Sequence, residues 1–145
     1  MKLIHCVAAT LAALLVQVAS AQSVSGRLGY VPTDDHPVGQ ASKRFAELVQ
    51  SKSAGRIVVT VYGSGKLGNE PQMQSSLQGG ILDLMVGPTS NLVGSIKEFG
   101  IFDLPFFYPG FKEVDAVTDG RVGRALFQRL DGINMVGLAY PPASE

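Results

Sequence analysis

An α/β fold with a mainly parallel sheet flanked by helices is the class that this 145-residue sequence predicts. Three patterns predict it. Short apolar runs rich in β-branched residues alternate with segments whose apolar residues recur at helical spacing. Glycine, proline and small polar residues separate each run from the next. The alternation also favours parallel pairing, because a helix between two strands carries the chain back to the same sheet edge.

The elements come in a regular order. Val24 to Val31 predicts a first strand, weakened by Gly26 and Gly29, and Pro32 to Asp35 breaks it. Pro37 suits the first position of a helix because the N–H it lacks would have no intrahelical partner there. Val38, Ala41, Phe45, Leu48 and Val49 fall on one face of that helix, and Gly55 closes it. Ile57 to Tyr62 is the second strand, being almost wholly β-branched. Gly63 to Gly68 is a loop, and Asn69 caps a second helix with Glu70 and Pro71 in its first turn. Met73, Leu77 and Ile81 space the buried side of this helix, and Gly79-Gly80 ends it.

Leu82 to Val86 predicts a short strand, apolar apart from Asp83, of the kind found inside a parallel sheet covered on both faces. Pro88 to Ser95 is a polar loop, and Phe99 to Tyr108 is an aromatic stretch interrupted by Pro105. Two short helices around Val114 and Leu126, parted by Asp119-Gly120, lead to a last strand from Ile133 to Ala139.

The N-terminus carries a different signal. Lys2, the apolar run Val7 to Val16 and the small residues Ala19-Ser20-Ala21 follow the order of a secretory signal peptide, with cleavage after Ala21. The apolar run is shorter than the roughly 20 residues of a spanning helix. Residues 1–21 therefore read as a signal peptide and residues 22–145 as an exported, periplasmic chain. Cys6 lies in the leader and is the only cysteine, so a disulfide scaffold is excluded for the mature chain. With Lys2 in the leader, the mature chain has twelve acidic residues against eleven basic ones and no basic stripe, which argues against a nucleic-acid partner. No later run approaches spanning length, which predicts a mature chain that is not embedded in the membrane.

Few residues suit catalysis. His36 is the only histidine beyond the leader, which rules out two-histidine metal sites and histidine relays within this chain. Gly63, Gly65 and Gly68 match a G-x-G-x-x-G dinucleotide fingerprint between a strand and a helix. The acidic residue that should come about 20 positions later has no good counterpart, Asp83 being early. Leu67 also stands where a nucleoside-triphosphate loop needs Ser or Thr. A glycine-tolerant turn accounts for the loop equally well. The reading is a protein that is not an enzyme and needs no cofactor.

What remains is a rim. In open parallel sheets, ligands sit beyond the carboxyl ends of the strands. Those ends gather His36, Glu70, Thr89, Ser90 and Asn91. Each has a plainer role open to it: His36 as a surface cap, Glu70 as a first-turn helix charge, Thr89 and Ser90 as turn residues.

Several spaced motifs carry a resemblance. Arg56-Ile57-Val58-Val59 leads into Tyr62-Gly63-Ser64-Gly65-Lys66-Leu67-Gly68 and then Glu70. Leu77-Gln78-Gly79-Gly80 with Asp83, and Phe99-Gly100 through Asp103-Leu104-Pro105-Phe106, continue it, with His36-Pro37 ahead of the first helix. Together, from Gly26 to Leu138, the chain resembles the periplasmic solute-binding subunits of TRAP (tripartite ATP-independent periplasmic) transporters, the DctP type.

The resemblance implies a two-lobed protein that closes around a small organic acid, a dicarboxylate or sugar acid, and delivers it to membrane permease subunits. By position it maps ligand contacts onto His36, Glu70 and Thr89-Ser90-Asn91, with Phe106 near the cleft. Family members run to about twice this length and clamp the ligand carboxylate with an arginine of the second half. Residues 22–145 are thus expected to be a truncated first lobe, with the second lobe largely absent. The alternatives are a stand-alone exported α/β binding domain, or a dinucleotide-binding enzyme domain using Gly63, Gly65 and Gly68.

Overall fold

The computed structural model describes residues 23–141. The expected signal peptide, Cys6 and residues 142–145 lie outside the described residues. Three strands form one sheet in the order β2-β1-β3, all parallel. They are β1 (Val24–Gly29), β2 (Ile57–Tyr62) and β3 (Leu84–Met85). Helix α1 (Pro37–Lys52) connects the first two strands, and α2 (Glu70–Gln78) connects β2 to β3. Two 3₁₀ helices come next, Thr89–Leu92 and Lys97–Asp103, then α3 (Phe111–Thr118), α4 (Arg121–Leu130) and a 3₁₀ turn Asp131–Ile133.

The helix boundaries follow from local chemistry. His36 caps α1, its Nδ1 accepting from the Val38 N–H at 3.2 Å, and Pro37 takes the first position. The helix ends through left-handed Ala54 and Gly55, and Gly55 N donates to Gln50 O at 2.8 Å. Ser53 Oγ, buried there, accepts from Ile57 N at 3.0 Å and ties the helix end to β2. At α2 a reciprocal capping box forms. Asn69 accepts from Gln72 N and Gln72 accepts from Asn69 N, each at 3.0 Å.

The packed face of α1 differs from the face that periodicity predicts. Gly39 and Ser42 are buried, and Ala46 and Val49 are half-buried, while Phe45 and Leu48 stay more than a third exposed. Small residues let the helix lie close to its neighbours. A Cβ on Gly39 would come within 2.8 Å of the carbonyl oxygens of Thr33 and Asp34.

β3 is also shorter than expected. Its ladder spans only Leu28 opposite Leu84 and Gly29 opposite Met85. Asp83 is a half-exposed edge residue rather than part of a covered strand interior. Its carboxylate accepts from Arg27 N at 2.8 Å and so takes the place of a further ladder bond. The Arg27 guanidinium folds over the same edge to the Ile81 carbonyl.

The expected strand from Ile133 to Ala139 is not formed. Ile133 ends a 3₁₀ turn, Asn134 turns left-handed at φ 56°, and Met135 N donates back to Leu130 O. The chain beyond Met135 docks on α4 instead of on a ladder. The Tyr140 ring stacks on Phe127 with centroids 4.2 Å apart, and its hydroxyl donates to Gly123 O at 3.3 Å. Val136 and Leu138 are left 74% and 66% exposed.

Buried apolar residues form two groups. Leu28, Tyr30, Met73 and Leu82 fill the space around the sheet. Ile96, Phe99, Leu126 and Leu130 form a second cluster, joined by Phe102, Phe127 and Tyr140. Helices α3 and α4 meet at Gly123, where a Cβ would lie 1.8 Å from the Thr118 carbonyl oxygen.

Tyr30, directly after β1, is fully buried, and its hydroxyl donates to Asp34 Oδ1 at 2.7 Å. Burial, with the Asp34 carboxylate second, pushes the Tyr30 phenol up to about 12. The same hydrogen bond holds the Asp34 carboxyl below its ordinary range, helped by Lys43 at 3.7 Å and by Lys66.

Both the Gly123 contact and the Tyr30–Asp34 bond are open to test. Gly123→Ala lowers unfolding free energy by about 1–3 kcal/mol through overpacking against backbone. Gly132→Ala, with open space around its Cβ, leaves it within about 1 kcal/mol of wild type. Thermal melts of the pair check this. The second test uses acid. A carboxyl whose folded pKa is lowered contributes stability above its unfolded pKa and loses it as pH falls through the folded one. Tyr30→Phe is therefore less stable at neutral pH, and its gap to wild type narrows on acidification through the Asp34 titration. A gap constant with pH assigns the whole effect to packing.

Candidate functional site

Because all three strands run parallel, the loops 30–36, 63–69 and 86–91 leave the sheet at one edge. The first two are joined by backbone bonds: Ser64 N donates to Pro32 O at 2.9 Å and Gly65 N to Tyr30 O at 3.1 Å. Gly63 permits this approach, since a Cβ there would meet Asp34 Oδ1 at 2.1 Å and the Tyr30 hydroxyl at 2.6 Å.

The second and third loops are joined by side chains. Glu70, the first residue of α2, accepts a hydrogen bond from Asn91 Nδ2 at 3.2 Å on Oε2, across 21 residues of chain. Both residues are partly buried. An ionised carboxylate accepts and does not donate, so the amide must turn its nitrogen to Glu70 and its oxygen away.

Of the other residues singled out in the sequence, Thr89 and Ser90 occupy the same 3₁₀ turn as Asn91, Thr89 half-buried and Ser90 exposed. His36 is exposed at the start of α1. Its Nδ1 is occupied by the Val38 N–H, so a neutral ring carries its proton on Nε2, facing out as a donor. Phe106 stands apart from these residues. Its side chain is fully exposed and its backbone is left-handed at φ 59°. The edge thus brings Glu70 and Asn91 into contact, keeps Thr89 and Ser90 beside them, and leaves Phe106 in solvent.

Sequence reading missed the Tyr30–Asp34–Lys43 group, placing Asp34 only in the break that follows the first strand. One signal was available: a tyrosine on the inward register at the end of a strand needs a partner for its hydroxyl, and Asp34 lies four residues on.

The glycine loop does not make a phosphate cradle. The N–H groups of Ser64, Gly65, Lys66 and Gly68 donate to the carbonyls of Pro32, Tyr30, Gly63 and Gly65. A dinucleotide site needs such groups free to face the ligand. The α2 N-terminus beyond is closed by its capping box and carries Glu70, which repels a phosphate. Among the described residues, no group of three or more His, Cys, Asp or Glu is placed to hold a metal ion. None of their helices is long and apolar enough to cross a membrane.

Comparison with known proteins gives the family. The model of the family "Bacterial extracellular solute-binding protein, family 7" (DctP) matches residues 28–144. The C4-dicarboxylate-binding protein DctB of Bacillus subtilis is 32% identical over 114 residues, covering 79% of this chain and 33% of its own length. The solved sugar acid binding protein DctPAm of Advenella mimigardefordensis, in complex with galactonate, superposes with a TM-score of 0.79 at 37% identity. The match covers 81% of this chain and 38% of that one. A TRAP periplasmic solute-binding protein of Ochrobactrum anthropi, its C-terminus bound in the ligand-binding pocket, gives a TM-score of 0.79 at 36% identity, covering 83% of this chain and 38% of its own. The chain spans 33% to 38% of the length of these three. With the family model running from within β1 to residue 144 and the fold shared at this level, the chain belongs to family 7 of the bacterial extracellular solute-binding proteins, the DctP-type periplasmic solute-binding subunits of TRAP transporters.

Proposed function

We propose that this chain supplies the first lobe, residues 22–145, of a two-lobed periplasmic protein that captures a small organic acid and passes it to the membrane permease subunits of a TRAP transporter. Its family is one of solute-binding proteins rather than enzymes. The observation that carries the reading is the Glu70–Asn91 contact, which sets a polar, partly buried pair at the carboxyl edge of a parallel sheet. That edge is where open α/β sheets bind ligands. His36, Thr89 and Ser90 add hydrogen-bonding groups around it.

A second lobe is supported by an exposed apolar stretch of the chain. Leu104, Phe106, Phe107 and Phe111 are exposed within eight residues of chain, more apolar surface than an isolated domain ordinarily leaves in water. The relatives, of which this chain spans 33% to 38%, have the length for a partner lobe. Phe106 then faces the cleft, its strained backbone held by closure around the ligand. DctB of Bacillus subtilis is named for C4-dicarboxylates and DctPAm holds galactonate, which supports a small organic acid as the ligand.

Thermal melts of the full-length protein test the reading. A ligand at a hundred times its Kd stabilises the folded state by about 2.7 kcal/mol. Galactonate, erythronate or succinate should therefore raise Tm by several degrees, while neutral sugars such as glucose do not. No rise with any organic acid of the panel contradicts the proposal.

A further inference from the structure

We infer that residues 135–139 are a strand edge without a sheet, and that this chain uses them to pair with a second copy of itself. The association needs no ligand. The segment has the composition and the course of a strand but no ladder. It runs without a turn or bend from Met135 to Pro141. Burial alternates along it with the period of two that a strand gives: Met135 and Gly137 are half-buried, Val136 and Leu138 exposed. Two anchors hold the run in place. Met135 N donates to Leu130 O, and the Tyr140 ring stacks on Phe127.

Between the anchors the backbone is unpaired. Val136, Gly137, Leu138 and Ala139 make no hydrogen bond to the described residues through N–H or C=O. A row of free donors and acceptors on a straight segment is a template for another strand.

The sequence makes this segment complementary to itself. In antiparallel pairing, residues directly opposite lie on one face of the ladder, so a two-fold axis must pass through a residue and not between two. With the axis at Gly137, Val136 lies opposite the partner's Leu138, and Met135 opposite the partner's Ala139. That register covers the two side chains left 74% and 66% exposed, and it does so twice. Glycine at the axis leaves no side chains to collide where the copies meet. Left-handed Asn134 bounds the ladder at one end, and Pro141, which has no N–H to give, bounds it at the other. A short two-stranded ladder is marginal alone. Here the ring series Tyr140, Phe102, Tyr108, Phe107 leads from the segment to the exposed Phe107, which adds apolar surface to the interface.

Sedimentation velocity of the 145-residue chain across a concentration series tests the pairing. Wild type should sediment as a dimer at high concentration and dissociate on dilution. Val136 and Leu138 are both exposed, so replacing them keeps the fold, as thermal melts can verify. Val136→Glu with Leu138→Glu sets like charges opposite one another and should give a monomer. Val136→Glu with Leu138→Lys sets opposite charges in the same register and should keep a dimer that salt weakens. A monomeric wild type overturns the inference and leaves the edge to a strand from elsewhere in the protein. A dimer that survives Val136→Glu with Leu138→Glu overturns it as well, because association then runs through another surface. Loss of the dimer in both double variants contradicts the register, and growth beyond dimers contradicts the two-fold pairing.

Discussion

Parallel pairing of β1 with both of its neighbours is the constraint on which the rest of the structure depends. Because β2 and β3 both run alongside β1, the loops after the three strands emerge together, and residues far apart in sequence become neighbours. Glu70 and Asn91 touch for that reason. The pairing in turn depends on small residues. Gly63 lets the first two loops close over the Tyr30–Asp34 hydrogen bond, and Gly39 lets the start of α1 lie against the Thr33–Asp34 backbone of the first loop. A bulkier side chain at these points would push the loops apart before it touched any ligand.

The polar groups at this edge divide into two kinds. Tyr30, Asp34 and Lys43 satisfy one another and hold the scaffold. Glu70 and Asn91 satisfy one another only in part, leaving acceptors outward. Partial satisfaction is costly in a buried core, where an unpaired polar group loses its water. At the open edge of a sheet it is tolerable, because solvent can meet the acceptors that the protein leaves unpaired.

Most of the fold was legible in the sequence because its strongest local signals agree with its topology. Ile57 to Tyr62 reads as a strand, and Asn69 ahead of Glu70-Pro71 reads as a helix cap, and both form. The buried face of α1 was not legible: hydrophobic spacing points to Phe45 and Leu48, whereas close approach selects Gly39 and Ser42. The segment after Ile133 has a strand's composition, but ring stacking of Tyr140 on Phe127 and a left-handed Asn134 hold it on α4. For the site, the rim residues could be named from strand ends alone. The bond between Glu70 and Asn91 could not, because a contact over 21 residues arises from sheet register and not from local pattern.

A crystal structure of the full-length protein with galactonate tests the central claim most directly, that the carboxyl edge of this sheet is the ligand site and Glu70–Asn91 its recognition pair. We predict ligand hydroxyls within about 2.5–3.2 Å of Glu70 Oε1 and Asn91 Oδ1, with the bond between the two residues retained. A ligand bound away from this edge, or seated here with the Asn91 amide turned so that its nitrogen meets the ligand, would contradict it.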